Sequence, residues 1–205
     1  MKVLIACESS GSTREAFRAL GHDAWSCDLL PADDGSCYHF TTDVSTILDS
    51  SWDLMLGHPP CTYLSSSGLH WNKRVVGRAN LTEQALEFVQ LLLNAPIRHI
   101  AIENPVGCIG TRIRPANQYI QPYDFGHDAS KKTGLWLKNL PPLISTQKIA
   151  PRYVDGKPRW ANQTDSGQNR LAPSLDRWKI RSKTYSGISL AMAKQWSIAA
   201  AYASM

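Results

Sequence analysis

The chain opens on the apolar run Val3-Leu4-Ile5-Ala6 and then breaks into the small polar residues Glu8-Ser9-Ser10-Gly11. This pattern predicts a strand over 2–7 and a tight turn. Ala16, Phe17 and Leu20 then recur at helical spacing, so a helix over 12–20 follows, with Gly21 as its stop. Ser12-Thr13-Arg14-Glu15 has the spacing of a capping box. A second strand over 22–27 ends at Asp28, and a polar loop covers 31–38. Phe40-Thr41-Thr42 forms a short third strand with Asp43 at its tip, followed by a helical turn over 45–49. Leu54-Met55-Leu56 is a fourth strand, halted by Pro59 and Pro60, which carry no N–H for a ladder. The polar stretch Ser65-Ser66-Ser67-Gly68, with Lys73, Arg74 and Arg78 behind it, reads as a lid loop. A helix starting at Asn80 or Thr82 carries the stripe Leu81, Ala85, Leu86, Phe88, Val89, Leu92 and Leu93, and Pro96 ends it. A fifth strand over 99–102 stops at Glu103-Asn104-Pro105.

Beyond Gly110 the strands shorten and the turns multiply. Leu135-Trp136-Leu137 suits a buried strand, 145–185 has no assignable pattern, and 188–202 is a helix with Ile188, Met192, Trp196 and Ala199 on one face. Strands alternating with helices predict an α/β fold, a doubly wound Rossmann-like sheet with a small irregular C-terminal extension. The expected layout is a single domain over 1–205. Residues 1–110 form its core, 111–185 a basic and aromatic substrate region, and 186–205 a helix packing back on the core.

Composition narrows the class. A hydrophobic fraction of 43% is ordinary for a globular chain, and no apolar run approaches the ~20 residues of a membrane span. The N-terminus lacks the features of a signal peptide, so a cytoplasmic protein is expected. The formal net charge of +5 is compatible with a polyanionic partner, and between 131 and 194 basic residues outnumber acidic ones, with Trp136, Trp160 and Trp178 among them and Trp196 just beyond. The five cysteines are scattered without Cys-x-x-Cys spacing, and the histidines without His-Glu-x-x-His spacing. Neither a disulfide framework nor a metal site is expected.

The candidate chemistry sits at strand ends, where open α/β sheets bind ligands. Cys61 lies just past the fourth strand on a loop stiffened by two prolines, placed as a nucleophile. Glu103 ends the fifth strand; if the two strands are neighbours, both groups face one pocket. The turn at 8–11 suits a nucleotide-like cofactor, and Asp28 follows at about the offset of a ribose-binding acid. Each residue also has a plainer role: Cys61 as a small buried hydrophobe, Asp28 as a turn cap, Glu103 as a loop acid.

In their order along the chain, these features resemble the DNA cytosine-5 methyltransferases. The residues carrying the resemblance are Gly57-His58-Pro59-Pro60-Cys61-Thr62-Tyr63-Leu64-Ser65 and Ile102-Glu103-Asn104-Pro105, with a weaker C-terminal echo in Ser186-Gly187-Ile188-Ser189. The chain is most similar to short, single-domain members carried by phages and prophages, which would place it in a host cytoplasm. The resemblance implies a class I S-adenosylmethionine (SAM) methyltransferase sheet. Cys61 would attack cytosine C6, and Glu103, its acid form favoured by burial, would act at N3. SAM would be bound by Glu8, Ser10 and Gly11 at its methionine end, Asp28 at the ribose, Asp43 at the adenine amine, and Pro59. Pro60, Asn104, Lys131, Lys132, Thr133 and Arg181 would meet the substrate, a DNA cytosine flipped out of any duplex.

The chain departs from the family pattern in several places. Cys7-Glu8-Ser9-Ser10-Gly11 stands where the family has Phe-x-Gly-x-Gly, Thr62 where most members have Gln, and Pro105 where they have Val. The family's Gln-x-Arg-x-Arg motif has no clean match, and with about a hundred residues after Glu103 a large target-recognition domain is not expected. Two alternatives therefore stand beside DNA methylation: a free pyrimidine nucleotide as substrate, or a non-catalytic protein of this fold that binds DNA or another protein. A zinc deaminase is excluded, because Leu64 stands where its second cysteine would be.

Overall fold

The computed structural model describes residues 1–202. Its elements run β1 (Lys2–Ala6), α1 (Ser12–Arg18), β2 (Asp23–Asp28), β3 (His39–Thr41), β4 (Leu54–Gly57), α2 (Ser66–Leu69), α3 (Arg78–Leu93), β5 (His99–Pro105), α4 (Ile109–Arg112), β6 (Gln118–Ile120), β7 (Thr133–Lys138), β8 (Arg152–Val154), β9 (Lys157–Arg159), α5 (Arg177–Ser182) and α6 (Ser186–Tyr202). A seven-stranded sheet has the order β3-β2-β1-β4-β5-β7-β6, and β8 and β9 form a separate hairpin. β1 to β5 are parallel; β7 lies antiparallel to both β5 and β6. This is the doubly wound, Rossmann-like α/β architecture, with its switch point between β1 and β4.

Alternation along the strands builds two apolar layers. Leu4, Met55, Ile100 and Ile102 face α3, which supplies Leu86, Val89 and Leu92. Val3, Ile5, Leu54 and Leu56 face the opposite side, where Phe17 of α1 meets Ile188, Met192 and Trp196 of α6. Leu4, Ile5, Leu54 and Met55 have no exposed surface. Burial of each such side chain contributes roughly 1.5–3 kcal/mol. A hydrogen bond of 3.2 Å between Thr13 Oγ1 and Ser189 Oγ and one of 2.6 Å between His22 Nε2 and Ser197 Oγ join the first helix unit to α6.

Five local expectations need correction. The capping box does not form: the N-cap of α1 is Gly11, at φ +71°, and no side chain at that position caps the helix. Glu8 does so instead, accepting from Thr13 N at 2.8 Å and Arg14 N at 3.2 Å. β5 runs on through Glu103 to Pro105, because β7 gives it an antiparallel partner, with Glu103 opposite Leu135 and Pro105 opposite Thr133. The stretch after Cys61 is not an open lid loop. It folds as α2 and a 3-10 turn over His70–Lys73, and Ser66 N and Oγ both donate to Val106 O. α3 starts at Arg78, ahead of its first apolar residue, because Gly77 supplies the left-handed bend before it. In α6, Ala200 rather than Ala199 completes the buried face.

The Glu8 cap carries a testable consequence. Its carboxylate is 5% exposed and satisfies two orphan N–H groups at the start of α1. Glu8→Ala is expected to cost about 1–2 kcal/mol. In a chain of this size that lowers Tm by roughly 2–8 °C, with Glu8→Gln milder in a thermal melt.

Candidate active site

The switch point between β1 and β4 opens, at the strand ends, into a cleft of about 350 Å³. Asp28, Leu29, Thr42 and Asp43 line one side, Pro59, Pro60 and Tyr63 another, and Leu81, Gln84, Ala85 and Phe88 of α3 a third. This volume falls within the range of small-molecule sites. Asp28 Oδ1 accepts from Leu30 N at 3.0 Å, and Asp43 Oδ1 accepts from Ser45 N at 2.9 Å. That hydrogen bond to Ser45 holds the Asp43 carboxyl below its usual range, so an ionised acceptor stands at the cleft wall.

Cys7 and Cys27 also line the cleft. Burial, then the nearby Asp28, pushes both thiols up, Cys27 to about 11, so neither supplies a thiolate near neutral pH. Cys7 adopts a left-handed φ of +61°, where the chain turns off β1. Glu8, Ser10 and Gly11 do not line the cleft. Ser10 Oγ donates to Glu8 Oε1 at 3.3 Å, and the Glu8 carboxylate is engaged at the N-terminus of α1.

Cys61 opens a 3-10 turn over Cys61–Tyr63 and is partly exposed. Its loop is clamped from the β5 side. Asn104 Nδ2 donates to Pro59 O at 2.7 Å, and Cys108 N donates to Leu64 O at 2.9 Å. Gly107 makes the closest approach: a Cβ there would stand 1.9 Å from Leu64 O. From α3, Arg78 Nη2 donates to Thr62 O at 3.0 Å, and its guanidinium sits 4.8 Å from the centre of the Tyr63 ring.

Glu103 lies on the strand beside this loop. β4 and β5 pair with Gly57 opposite Ile102, so His58 and Glu103 occupy the next step of the two strands. His58 Nδ1 and Glu103 Oε2 are 3.0 Å apart, with the side chains 10% and 11% exposed. Burial alone would lower the His58 pKa, but the hydrogen bond and charge of Glu103 outweigh it, with Glu8 adding to them, and the value rises. Burial would likewise raise Glu103. The hydrogen bond from His58, the charges of Lys131 and His58, and a hydrogen bond from Thr133 pull it below the usual carboxylate range. The expectation of an acid form favoured by burial is therefore opposed by the surroundings: the partners of Glu103 favour its carboxylate, and Glu103 in turn favours the protonated form of His58.

The pH dependence of that pair has a definite sign. His58 gains proton affinity on folding, so its stabilisation is full below 6.5 and is lost as pH rises through the higher folded value. Glu103 loses proton affinity, so its share is present above 4.5 and is lost as pH falls through the lower folded value. The Tm difference between wild type and Glu103→Gln is expected to peak between pH 4.5 and 6.5. A difference constant from pH 4 to 9 would contradict the ion pair.

The structure draws most of the predicted residues to one edge of the sheet. Asp28, Asp43, Pro59 and Pro60 share the cleft. Asn104 holds the Cys61 loop, and Thr133 and Lys131 act on Glu103. Lys132 points elsewhere, with Nζ 4.7 Å from the centre of the Tyr119 ring. The Arg181 side chain is exposed on α5, while its carbonyl accepts from Lys131 Nζ at 2.9 Å. His58, Tyr63, Gln84 and Phe88 were not foreseen here. Phe88 reads by periodicity as core; the signal for His58 was its place directly before Pro59-Pro60-Cys61. Among the described residues, no group of three His, Cys, Asp or Glu side chains comes together to hold a metal ion.

No family model and no curated protein matches the chain. Among solved structures, 48 chains match. One is described as a candidate DNA modification methyltransferase encoded within an Escherichia coli prophage. It is 16% identical, with a TM-score of 0.44, over 67% of this chain and 46% of that one, so the chain spans less than half of its length.

Proposed function

We propose that the chain is a SAM-dependent methyltransferase acting on C5 of cytosine in DNA. The observation that carries this reading is that the Cys61 loop follows β4 while Glu103 sits on the neighbouring parallel strand β5; neither side chain lines the cleft of Asp28 and Asp43, but Pro59 and Pro60 of the Cys61 loop do. The cleft is of small-molecule size and offers carboxylate acceptors suited to the adenosine end of SAM. Asp28 would accept from the ribose hydroxyls and Asp43 from the adenine amine, between the apolar walls of Leu29, Pro59 and Phe88. Bound there, SAM supplies an electrophilic methyl group on a sulfonium.

The chain's own residues would do the rest. Cytosine C5 is a poor nucleophile until a thiolate adds at C6 and makes C5 enamine-like. Cys61 is partly exposed, and hydrogen bonds from the β5 side hold its loop. Glu103 faces the charge that grows at N3, once it carries a proton. Transfer of the C5 proton to solvent water re-forms C5=C6 and expels the Cys61 thiolate, which restores the ring. A base in duplex DNA must first leave the stack. Lys131, whose Nζ donates to the Arg181 carbonyl, and the exposed Arg181 side chain would meet the phosphates.

The test is transfer of labelled methyl from SAM to unmethylated DNA, with dCMP and dCTP run beside it. Label in DNA cytosine is the expected result. Label confined to a nucleotide would move the substrate to the free base series. No label anywhere, with no binding of SAM, would leave a non-catalytic protein of this fold.

A further inference from the structure

We propose that His58 is the proton store for Glu103: it acts through the carboxyl group, lending it the proton that cytosine N3 needs and recovering it when the product leaves. This rests on the cytosine reaction proposed above. The geometry is built into the sheet. His58 N continues the β1–β4 ladder by donating to Ala6 O at 2.9 Å, and the two prolines follow at once. The ring therefore leaves β4 one step after Gly57, beside Glu103 on β5, with Nδ1 at 3.0 Å from Oε2.

The need for a store follows from hydrogen-bond polarity. N3 of neutral cytosine is an acceptor, and an ionised carboxylate has only acceptors. Glu103 can meet N3 only as the acid, yet the groups around it favour the carboxylate. Those facing the pair are Glu8 beyond β1, which favours a charged imidazole, Lys131 before β7, which opposes it, and Thr133 on β7, which donates to Glu103. Both side chains are about nine-tenths buried, so bulk water is a poor proton source. The imidazole in hydrogen-bond contact is the nearest one. Its Nε2 is buried and makes no hydrogen bond, so exchange is confined to Nδ1.

The steps balance. As the Cys61 lone pair forms the Sγ–C6 bond, the C5=C6 electrons move to C4–C5 and the C4=N3 electrons to N3. Nδ1 first gives its proton to the Glu103 carboxylate, and N3 then takes that proton from the carboxyl group. His58 is left neutral, with hydrogen on Nε2. When the thiolate departs, N3 returns its proton to Glu103, and His58 is recharged.

The experiment compares wild type with His58→Asn, which keeps an N–H donor near the Nδ1 position but has no proton to lend. For wild type, the single-turnover rate of methyl transfer is expected to fall as pH rises through the raised His58 value. For H58N it should be about 100-fold lower at pH 7 and lack that limb, with binding of SAM unchanged. An H58N enzyme as fast as wild type, or slow with the wild-type pH profile, overturns the store and leaves the methyl-transfer reading standing. A wild type inactive on DNA and on nucleotides overturns that reading, and the store with it. Should H58N fail to fold, the ¹⁵N signals of the wild-type ring decide: an imidazolium at pH 7 that becomes neutral in Glu103→Gln is expected, and a ring already neutral in wild type overturns the store.

Discussion

Cys61→Ala is expected to fold like the wild type and to transfer no methyl group. The side chain is partly exposed and supplies no part of either apolar layer. Its removal therefore leaves the core packing intact, and Tm should move little. The chemical loss should be at least about 10⁴-fold, or roughly 5.5 kcal/mol of barrier, because no other thiol can substitute. Cys7 and Cys27 are held as neutral thiols by burial and Asp28, and Cys108 is pushed up by burial. Cys61→Ser tests the same point with a smaller change of shape. An unchanged rate in either variant would remove the thiol mechanism.

Gly107→Ala should damage the same site without touching a reactive group. A methyl at this position would stand 1.9 Å from Leu64 O and 2.7 Å from Leu64 C, both backbone atoms that cannot swing aside. Relief requires the Cys61 loop and the segment after β5 to separate, at the expense of the Cys108 N to Leu64 O hydrogen bond. Overpacking of this kind costs about 1–3 kcal/mol or more, which predicts a fall in Tm of roughly 3–10 °C. Cys61 should also react faster with a thiol reagent as its clamp loosens. Gly110→Ala is the control: its Cβ would meet only Tyr119 Oη, at 3.7 Å. Equal Tm values for the two variants would show that the close approach does not hold the loop.

The sheet was legible because its strands are short apolar runs, each ended by a polar or proline-rich turn. Leu54-Met55-Leu56 and Leu135-Trp136-Leu137 needed little more than length and hydrophobicity. The strand ends were legible for the same reason, and with them Asp28, Asp43, Cys61 and Glu103. What escaped depends on partners distant in sequence. Glu103 looked like the end of a strand because nothing in 99–105 announces the antiparallel neighbour β7. Ser12 has capping chemistry, but Glu8 reaches the same N–H groups from the preceding turn. The protonation of Glu103 could not be judged from burial alone, since its three counterweights, His58, Lys131 and Thr133, come from other segments. Residues 145–185 carry little apolar periodicity, and their structure rests on local polar contacts. One is Arg152 with Asp165 at 2.7 Å; beyond these local contacts, Trp160 is anchored by stacking on the distant Tyr123, 4.1 Å away.

Helix α6 covers Val3, Ile5 and Phe17, yet it follows every other element in the chain. During synthesis those early residues leave the ribosome long before their cover has been made. The nascent half-sheet is bare on one side throughout that interval, the condition under which partly folded chains aggregate. A premature stop between Arg181 and α6 would therefore be expected to yield an aggregating fragment rather than a partly working protein, even though every residue proposed for chemistry had already been translated.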